Sequence, residues 1–178
     1  MKLEDSWIKA REAWDFRGEQ RPDFAIEPRA DQESVWDYPR PPVIVDDKRA
    51  IEVRSSSGTL LLKTNAARRV LETASPPTFY LSAEDLCVAL EPASGSSFCE
   101  WKGAAEYFQF EGEVIAWRYP EPFESFTSVA GWICFYPALT QCSVDGQAVR
   151  AQAGGFYGGW VTDEIIGPYK GEPGTSGW

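Results

Sequence analysis

Ala104-Ala105-Glu106-Tyr107-Phe108-Gln109-Phe110-Glu111-Gly112-Glu113-Val114-Ile115-Ala116-Trp117-Arg118-Tyr119 decides the fold class. Two apolar runs, 104–110 and 114–119, flank Glu111-Gly112-Glu113, which is the pattern of an antiparallel hairpin. Alternation puts Glu106 on the face of Phe108 and Phe110, with Tyr107 opposite. A carboxylate among rings must be paired, protonated or at a pocket rim, because burying it alone costs several kcal/mol or more.

The same strand-length periodicity extends outward. Val43-Ile44-Val45, Ile51-Glu52-Val53 and Leu60-Leu61-Leu62 are short apolar segments between charged or Ser/Gly turns. Asn65 to Thr73 admits two readings, a helical turn capped by Thr64 or a strand through Val70-Leu71. Pro76-Pro77 is expected to stop what precedes it, and Thr78 to Leu81 to form the next strand. Ser82 with Asp85 resembles a capping box that opens a short helix. Downstream, Trp132 to Tyr136 reads as a buried strand and Val144-Asp145-Gly146-Gln147 as a second hairpin turn. At least seven short strands with little helix predict an all-β sandwich or barrel.

The flanks have a different character. Leu3, Trp7, Ala10 and Trp14 fall at helical spacing and predict one amphipathic helix near 5–16. Prolines at 22, 28, 39, 41 and 42 keep the following chain extended. Trp36 and Tyr38 stand on this polyproline-like arm, either pinning it to the domain or awaiting a partner. Residues 1–42 are therefore expected to form a helix and arm, and 43–178 a β-domain with a C-terminal extension. Gly-Gly-Phe-Tyr-Gly-Gly-Trp (154–160) carries too many rings for a flexible linker and is expected to be ordered and packed.

Composition narrows the chemistry. The 178 residues carry a formal charge of −10, and 14% are aromatic. That charge opposes a broad phosphate-binding surface, so no nucleic acid is expected as partner, and anionic membranes are disfavoured on the same ground. No segment reaches the ~18–20 apolar residues of a bilayer span. The start, Met1-Lys2-Leu3-Glu4-Asp5, has no apolar h-region, which points to a cytoplasmic, reduced chain. There is no histidine, which removes imidazole bases and His-ligated zinc. Cys87, Cys99, Cys134 and Cys142 form no C-x-x-C pair, so no metal is expected. No cofactor is indicated.

The densest chemical cluster is Cys99-Glu100-Trp101-Lys102-Gly103-Ala104-Ala105-Glu106-Tyr107. Lys102 would bind an anion or, if desolvated, act as nucleophile or base, and would lower the Cys99 thiol pKa. Tyr107 would donate a hydrogen bond to a ligand oxygen. The competing reading has Lys102 capping loop carbonyls and Tyr107 packed in the core. Ser94-Gly95-Ser96-Ser97 and Gly167-Pro168-Tyr169-Lys170-Gly171 read as turns; the alternative is that their N–H groups form an anion nest beside Lys102 or Lys170.

At this cluster the sequence resembles the domain-of-unknown-function 427 family, labelled nucleotidyltransferase-like. The matching stretches are Leu71-Glu72-Thr73, Pro76-Pro77-Thr78-Phe79-Tyr80 and Ser82-Ala83-Glu84-Asp85. Cys99-x-x-Lys102-Gly103-x-Ala105-x-Tyr107, Ala116-Trp117-x-Tyr119 and Phe135-Tyr136 follow in order. The arm Val35-Trp36-Asp37-Tyr38-Pro39-Arg40-Pro41-Pro42 resembles a longer subgroup. So do the endings Phe156-Tyr157-Gly158-Gly159-Trp160-Val161-Thr162 and Gly167-Pro168-x-Lys170-Gly171-x-Pro173-Gly174. The resemblance spans roughly 33–178 and implies a mainly β single domain with tent-like or barrel-like antiparallel sheets. Some tent-like domains bind zinc through C-x-x-C pairs, which this chain lacks.

These readings converge on an expectation of one aromatic-lined pocket for a small polar or anionic molecule. Lys102 supplies charge, Tyr107 a hydrogen bond, and Trp101, Trp117, Tyr136 and Trp160 the walls. Turnover, if the pocket supports it, would use Glu106 as base and Cys99 or Lys102 as nucleophile. Two alternatives stand beside it. The aromatic arm and tail would form a protein interface, including one that builds a homo-oligomer, or the chain would transfer nucleotidyl groups as the family label says.

Overall fold

The computed structural model describes residues 5–178; Leu3 and the rest of Met1 to Glu4 lie outside the described residues. Helix α1 (Asp5–Glu12) carries Trp7 and Ala10 and ends short of Trp14, and the arm holds strand β1 (Glu33–Ser34). Next come β2 (Val43–Asp47), β3 (Ile51–Arg54), β4 (Leu60–Thr64), β5 (Ala67–Glu72) and β6 (Ser75–Tyr80). They are followed by β7 (Glu91–Cys99), β8 (Gly103–Phe110), β9 (Glu113–Arg118), β10 (Ile133–Phe135), β11 (Gln141–Val144) and β12 (Gln147–Ala148). The tail adds β13 (Arg150–Ala151), β14 (Trp160–Val161) and β15 (Ile165–Ile166). The chain is mainly β with a few short helices, as its patterning predicts.

Three antiparallel sheets, ordered β2-β5-β6, β12-β11-β3-β4 and β10-β9-β8-β7, form the body, and among the described residues none closes into a barrel. Both predicted hairpin turns form. Glu111-Gly112 (φ 52° and 82°) and Asp145-Gly146 (φ 49° and 80°) place two successive residues at positive φ. That backbone matches the right-handed twist of the flanking strands.

Three local expectations resolve differently from the sequence reading. The ambiguous stretch 65–73 is strand, because β5 is the central strand of its sheet and ladders with both neighbours. Thr64 does accept the Ala66 N–H (3.1 Å), but it caps a turn and opens no helix. Pro76-Pro77 do not stop a strand; they lie inside β6. An edge strand tolerates them because a missing N–H costs no ladder bond on its open side. Ser94-Gly95-Ser96-Ser97, read as a turn, instead lies inside β7, where the pairing register shifts between Ala93 and Ser96. At Ser82 the expected cap is present, its hydroxyl accepting the Glu84 N–H at 3.3 Å, and the helix it opens is one short turn, Ala83–Asp85.

The main core packs Ile51, Val53, Leu61, Leu62, Phe79, Ile133, Phe135 and Trp160 between sheets. A separate core joins the two flanks. Trp36, 1% exposed, meets Phe16 and Trp178 edge to face, each at 5.2 Å. Its indole N–H donates to the Pro168 carbonyl (3.1 Å), and β1 pairs in parallel with β15. Burying one indole removes about 150–250 Å² from water, a gross gain of about 4–6 kcal/mol before entropy. The arm thus packs within its own chain, against β15, Pro168 and Trp178 of the tail.

Candidate functional site

Strand alternation builds one wall of a cavity of about 250 Å³. The β8–β9 register sets Tyr107 opposite Trp117, and the β9–β10 register sets Trp117 opposite Cys134. With period 2, Tyr119 shares the face of Trp117, and Ser97 and Cys99 share a face on β7. Tyr107 donates from its hydroxyl to Ser97 Oγ at 2.7 Å. Trp117 and Tyr136 hold their ring centroids 4.4 Å apart. The facing wall comes from the sheet β2-β5-β6, where Glu72, Thr78 and Tyr80 line the same space.

The predicted cluster is a hairpin turn. Cys99 pairs with Gly103, and Gly103 takes φ +99°, which closes the Glu100-Trp101-Lys102 turn without the strain a side chain would add there. The turn sends Lys102 into the cavity. Its ammonium lies 3.8 Å from Glu72 Oε2 and 5.5 Å from the Phe126 ring centre. Burial disfavours that ammonium, but Cys99, Glu72 and Glu100 outweigh the cost and hold its pKa above the ordinary lysine value. The second Glu72 oxygen lies 3.4 Å from Nε of Arg40, whose side chain is fully buried. Glu100 accepts from the Trp14 indole (3.1 Å) and from the Cys99 thiol (3.7 Å). Both cavity carboxylates are therefore already engaged.

Cys99 departs from its expected role. Lys102 does pull its thiol pKa down, but burial is the larger effect and leaves it raised. A thiol in that state is a poor nucleophile at neutral pH. Burial likewise pushes up the Tyr136 phenol, with Tyr107 adding to it. Among the described residues five buried side-chain donors have no hydrogen-bond partner, and two of them, the Tyr80 hydroxyl and the Trp101 indole N–H, belong to residues that line the cavity.

Flank residues complete the cavity. Trp14, Gln152, Phe156, Tyr157, Gly158 and Lys170 all line it. The 152–159 loop lies flat on the β9 indole, and a Cβ on Gly158 would run into the Trp117 ring. Gln152 ties the loop to the tail, donating to the Lys170 carbonyl (2.6 Å) and accepting the Gly159 N–H (3.2 Å).

Of the residues nominated from sequence, Cys99, Trp101, Lys102, Tyr107, Trp117 and Tyr136 come together around this cavity. Glu106 and Trp160 do not. Glu106 takes the opposite face of β8, as alternation requires, and pairs with Arg118 at 3.0 Å. Trp160 is fully buried in the main core, stacked on Phe79 at 4.6 Å, with its N–H donated to the Phe135 carbonyl at 3.2 Å. Sequence reasoning missed Glu72, Tyr80, Tyr119 and Trp14. Tyr80 and Glu72 stand in the sequence as strand and family-motif residues with no role attached; what brings them to Lys102 is the meeting of two sheets.

A family model described as "Domain of unknown function (DUF427)", labelled NTP_transf_9, matches residues 43–149, more than half of the sequence, and the chain belongs to this family. No curated protein matches the chain. The matched stretch contains both sheet walls and the Lys102 turn, whereas Trp14 and the 152–170 lining lie outside it.

Proposed function

We propose that this family member binds a small organic acid with a flat, ring-like body. The observation that carries the reading is the Lys102 ammonium. It faces an aromatic cavity with only a 3.8 Å ionic contact to Glu72 and no hydrogen bond among the described residues. An ammonium has three N–H donors, and a buried one gains most from a hydrogen-bonded anion.

The surroundings favour the same ligand. Tyr80 and Trp101 leave unpartnered donors buried at the cavity, while Glu72 and Glu100 are taken up by protein groups. Donors are in surplus, so an acceptor-rich molecule complements them. Trp117, Tyr136 and Tyr107 supply flat faces on which a ring stacks. A volume of about 250 Å³ falls below the range of drug-sized ligand sites, about 300 to 1,000 Å³, and suits a single ring with an acid group.

Binding, rather than turnover, is the reading these groups support. Glu106 stands outside the cavity in an ion pair, and the Cys99 thiol is raised by burial. The family label names nucleotidyl transfer; the reading here draws on the cavity and not on that label.

Calorimetric titration of the full chain with benzoate, salicylate and indole-3-carboxylate, beside the neutral benzamide, tests it. At least one acid is expected to bind tenfold or more tighter than benzamide. Lys102→Met is expected to remove that margin in a variant that still folds cooperatively, with a melting temperature lowered by loss of the Glu72 contact. Equal affinity for acids and amide, or no acid binding at all, overturns the reading.

A further inference from the structure

We propose that the 152–159 loop is the lid of this cavity and that Phe156, at its tip, contacts the bound acid, so that the site admits acids one ring long. The proposal rests on the organic-acid reading of the cavity and adds to it a ligand-contacting residue and a size limit.

The loop joins β13 to β14, which pair antiparallel with Ala151 opposite Trp160. Both of its feet are fixed. Trp160 is fully buried in the main core. Gln152, 5% exposed, donates its backbone N–H to the Gly159 carbonyl (3.2 Å) and accepts the Gly159 N–H on its side chain (3.2 Å). A Cβ on Gly159 would strike that side-chain oxygen and the Pro76 carbonyl, so this foot has no room to shift. Between the feet the ties are few. Over 153–158 the one backbone hydrogen bond among the described residues is a long one, from the Tyr157 N–H to the Gly154 carbonyl at 3.3 Å. Gly154 takes φ +83°, and a Cβ on Gly155 would stand in open space. Fixed feet and a sparsely bonded tip let the tip move while the scaffold stays still.

The two rings of the tip have different surroundings. Tyr157 is half-buried, and burial, then Glu72 and Glu100, raise its phenol above its ordinary value. Phe156 stands edge-on to it at 5.6 Å and is 69% exposed, the most of any large apolar side chain among the described residues. A lone exposed ring is ordinary on a protein surface. This one also lines the cavity, which puts it at the mouth. Lys102, with 12% of its side chain exposed, lies deeper. An acid held by Lys102 therefore points the far end of its ring toward Phe156. Rotation of the tip at Gly154 and Gly155 lays the Phe156 ring on that end and buries apolar surface that otherwise meets water. The contact exists only with the ligand in place, so it slows dissociation more than it speeds association. A closed tip leaves no space for a second ring beyond the first.

The test titrates the full chain with benzoate and with para-phenylbenzoate, and follows fluorine NMR of protein carrying para-fluorophenylalanine, the Phe156 resonance being assigned by its absence in Phe156→Leu. Wild type is expected to bind benzoate at least tenfold tighter than para-phenylbenzoate, the reverse of the order that apolar area alone gives. The Phe156 resonance is expected to move when benzoate saturates the protein and to stay in place in Lys102→Met. Phe156→Ala is expected to weaken benzoate at least fivefold, mainly through faster dissociation, and to remove the preference over para-phenylbenzoate. Its melting temperature is expected within about 2 °C of wild type, as for an exposed side chain, and Phe156→Tyr is expected to bind benzoate as wild type does. If benzoate binds in a Lys102-dependent way while the Phe156 resonance does not move, or while Phe156→Ala binds it as tightly as wild type, the lid fails and the cavity reading stands. If para-phenylbenzoate binds wild type as well as benzoate does, the size limit fails. If neither acid binds, both readings fail.

Discussion

Glu72→Gln separates the structural from the recognition role of the cavity, because it moves stability and affinity in opposite directions. Glu72 lies 3.4 Å from Arg40 and 3.8 Å from Lys102. At an effective dielectric of about 20, each contact has a gross attraction of roughly 4–5 kcal/mol. Much of that is spent on desolvating three charges. Removing one partner of a buried pair typically costs about 3–5 kcal/mol, since it strands the other charge. The Arg40 side chain is fully buried whereas Glu72 keeps 20% exposure, so water recovers part of the loss, and a net cost of about 2–4 kcal/mol is expected. For a chain of this size each kcal/mol moves the melting temperature by roughly 2–4 °C, which puts the drop at roughly 5–15 °C. The amide keeps the shape of the carboxylate, so packing is unchanged and the effect is electrostatic. The variant also removes the anion that competes with a ligand for Lys102, so affinity for benzoate is expected to rise severalfold. Thermal denaturation at pH 7, in low and high salt, and acid titration are the assays. A drop below about 2 °C, or one that disappears in 1 M salt, would mean that the charges are solvated; weaker acid binding in a folded variant would mean that Glu72 recruits the ligand instead of competing with it.

Two further outcomes are specific. Gly158→Val drives a side chain into the Trp117 indole, so the 152–159 loop must lift; overpacking of this kind costs about 1–3 kcal/mol, and a changed tryptophan emission with weakened acid binding is expected, while an unaltered spectrum would show that the loop does not rest on that ring. Asp47 is buried, which raises its pKa, but hydrogen bonds from Arg49 and the Arg69 charge more than reverse this and leave it below its ordinary value of 3.8. A carboxyl depressed in the folded state stabilises fully above its unfolded pKa and loses that contribution as pH falls through its folded one. Asp47→Asn is therefore expected to melt below wild type at pH 7 and to converge with it toward pH 2; a gap that stays constant across that range would refute the linkage.

How far the sequence could be read depended on the range of each interaction. Alternation within β8 puts Tyr107 and Glu106 on opposite faces, which already argues against the nomination of Glu106 as the pocket's base; the structure puts the first in the cavity and the second outside it. The Cys99-to-Tyr107 cluster was legible as a site because a hairpin turn keeps its members close whatever the rest of the chain does. Trp160 misled for the converse reason. A ring among glycines looks alike in sequence whether it faces a pocket or a core, and only the stacking on Phe79 decides. Pro76-Pro77 were read as a stop because local sequence does not say whether a strand lies at an edge.

Strand lengths, hairpin turns and the ordered, ring-bearing flanks follow from the sequence alone, because backbone sterics and period-2 burial act over a few residues. Which rings share a cavity was settled by tertiary structure. Glu72 comes 30 positions before Lys102 and Lys170 comes 68 after it, and no local pattern links them. They meet because two sheets face each other and the N- and C-terminal flanks fold together over the opening, burying their rings in a common core. Charges brought together in that way acquire pKa values and partners that no single segment encodes, since desolvation and Coulomb interaction depend on distance in space and not along the chain.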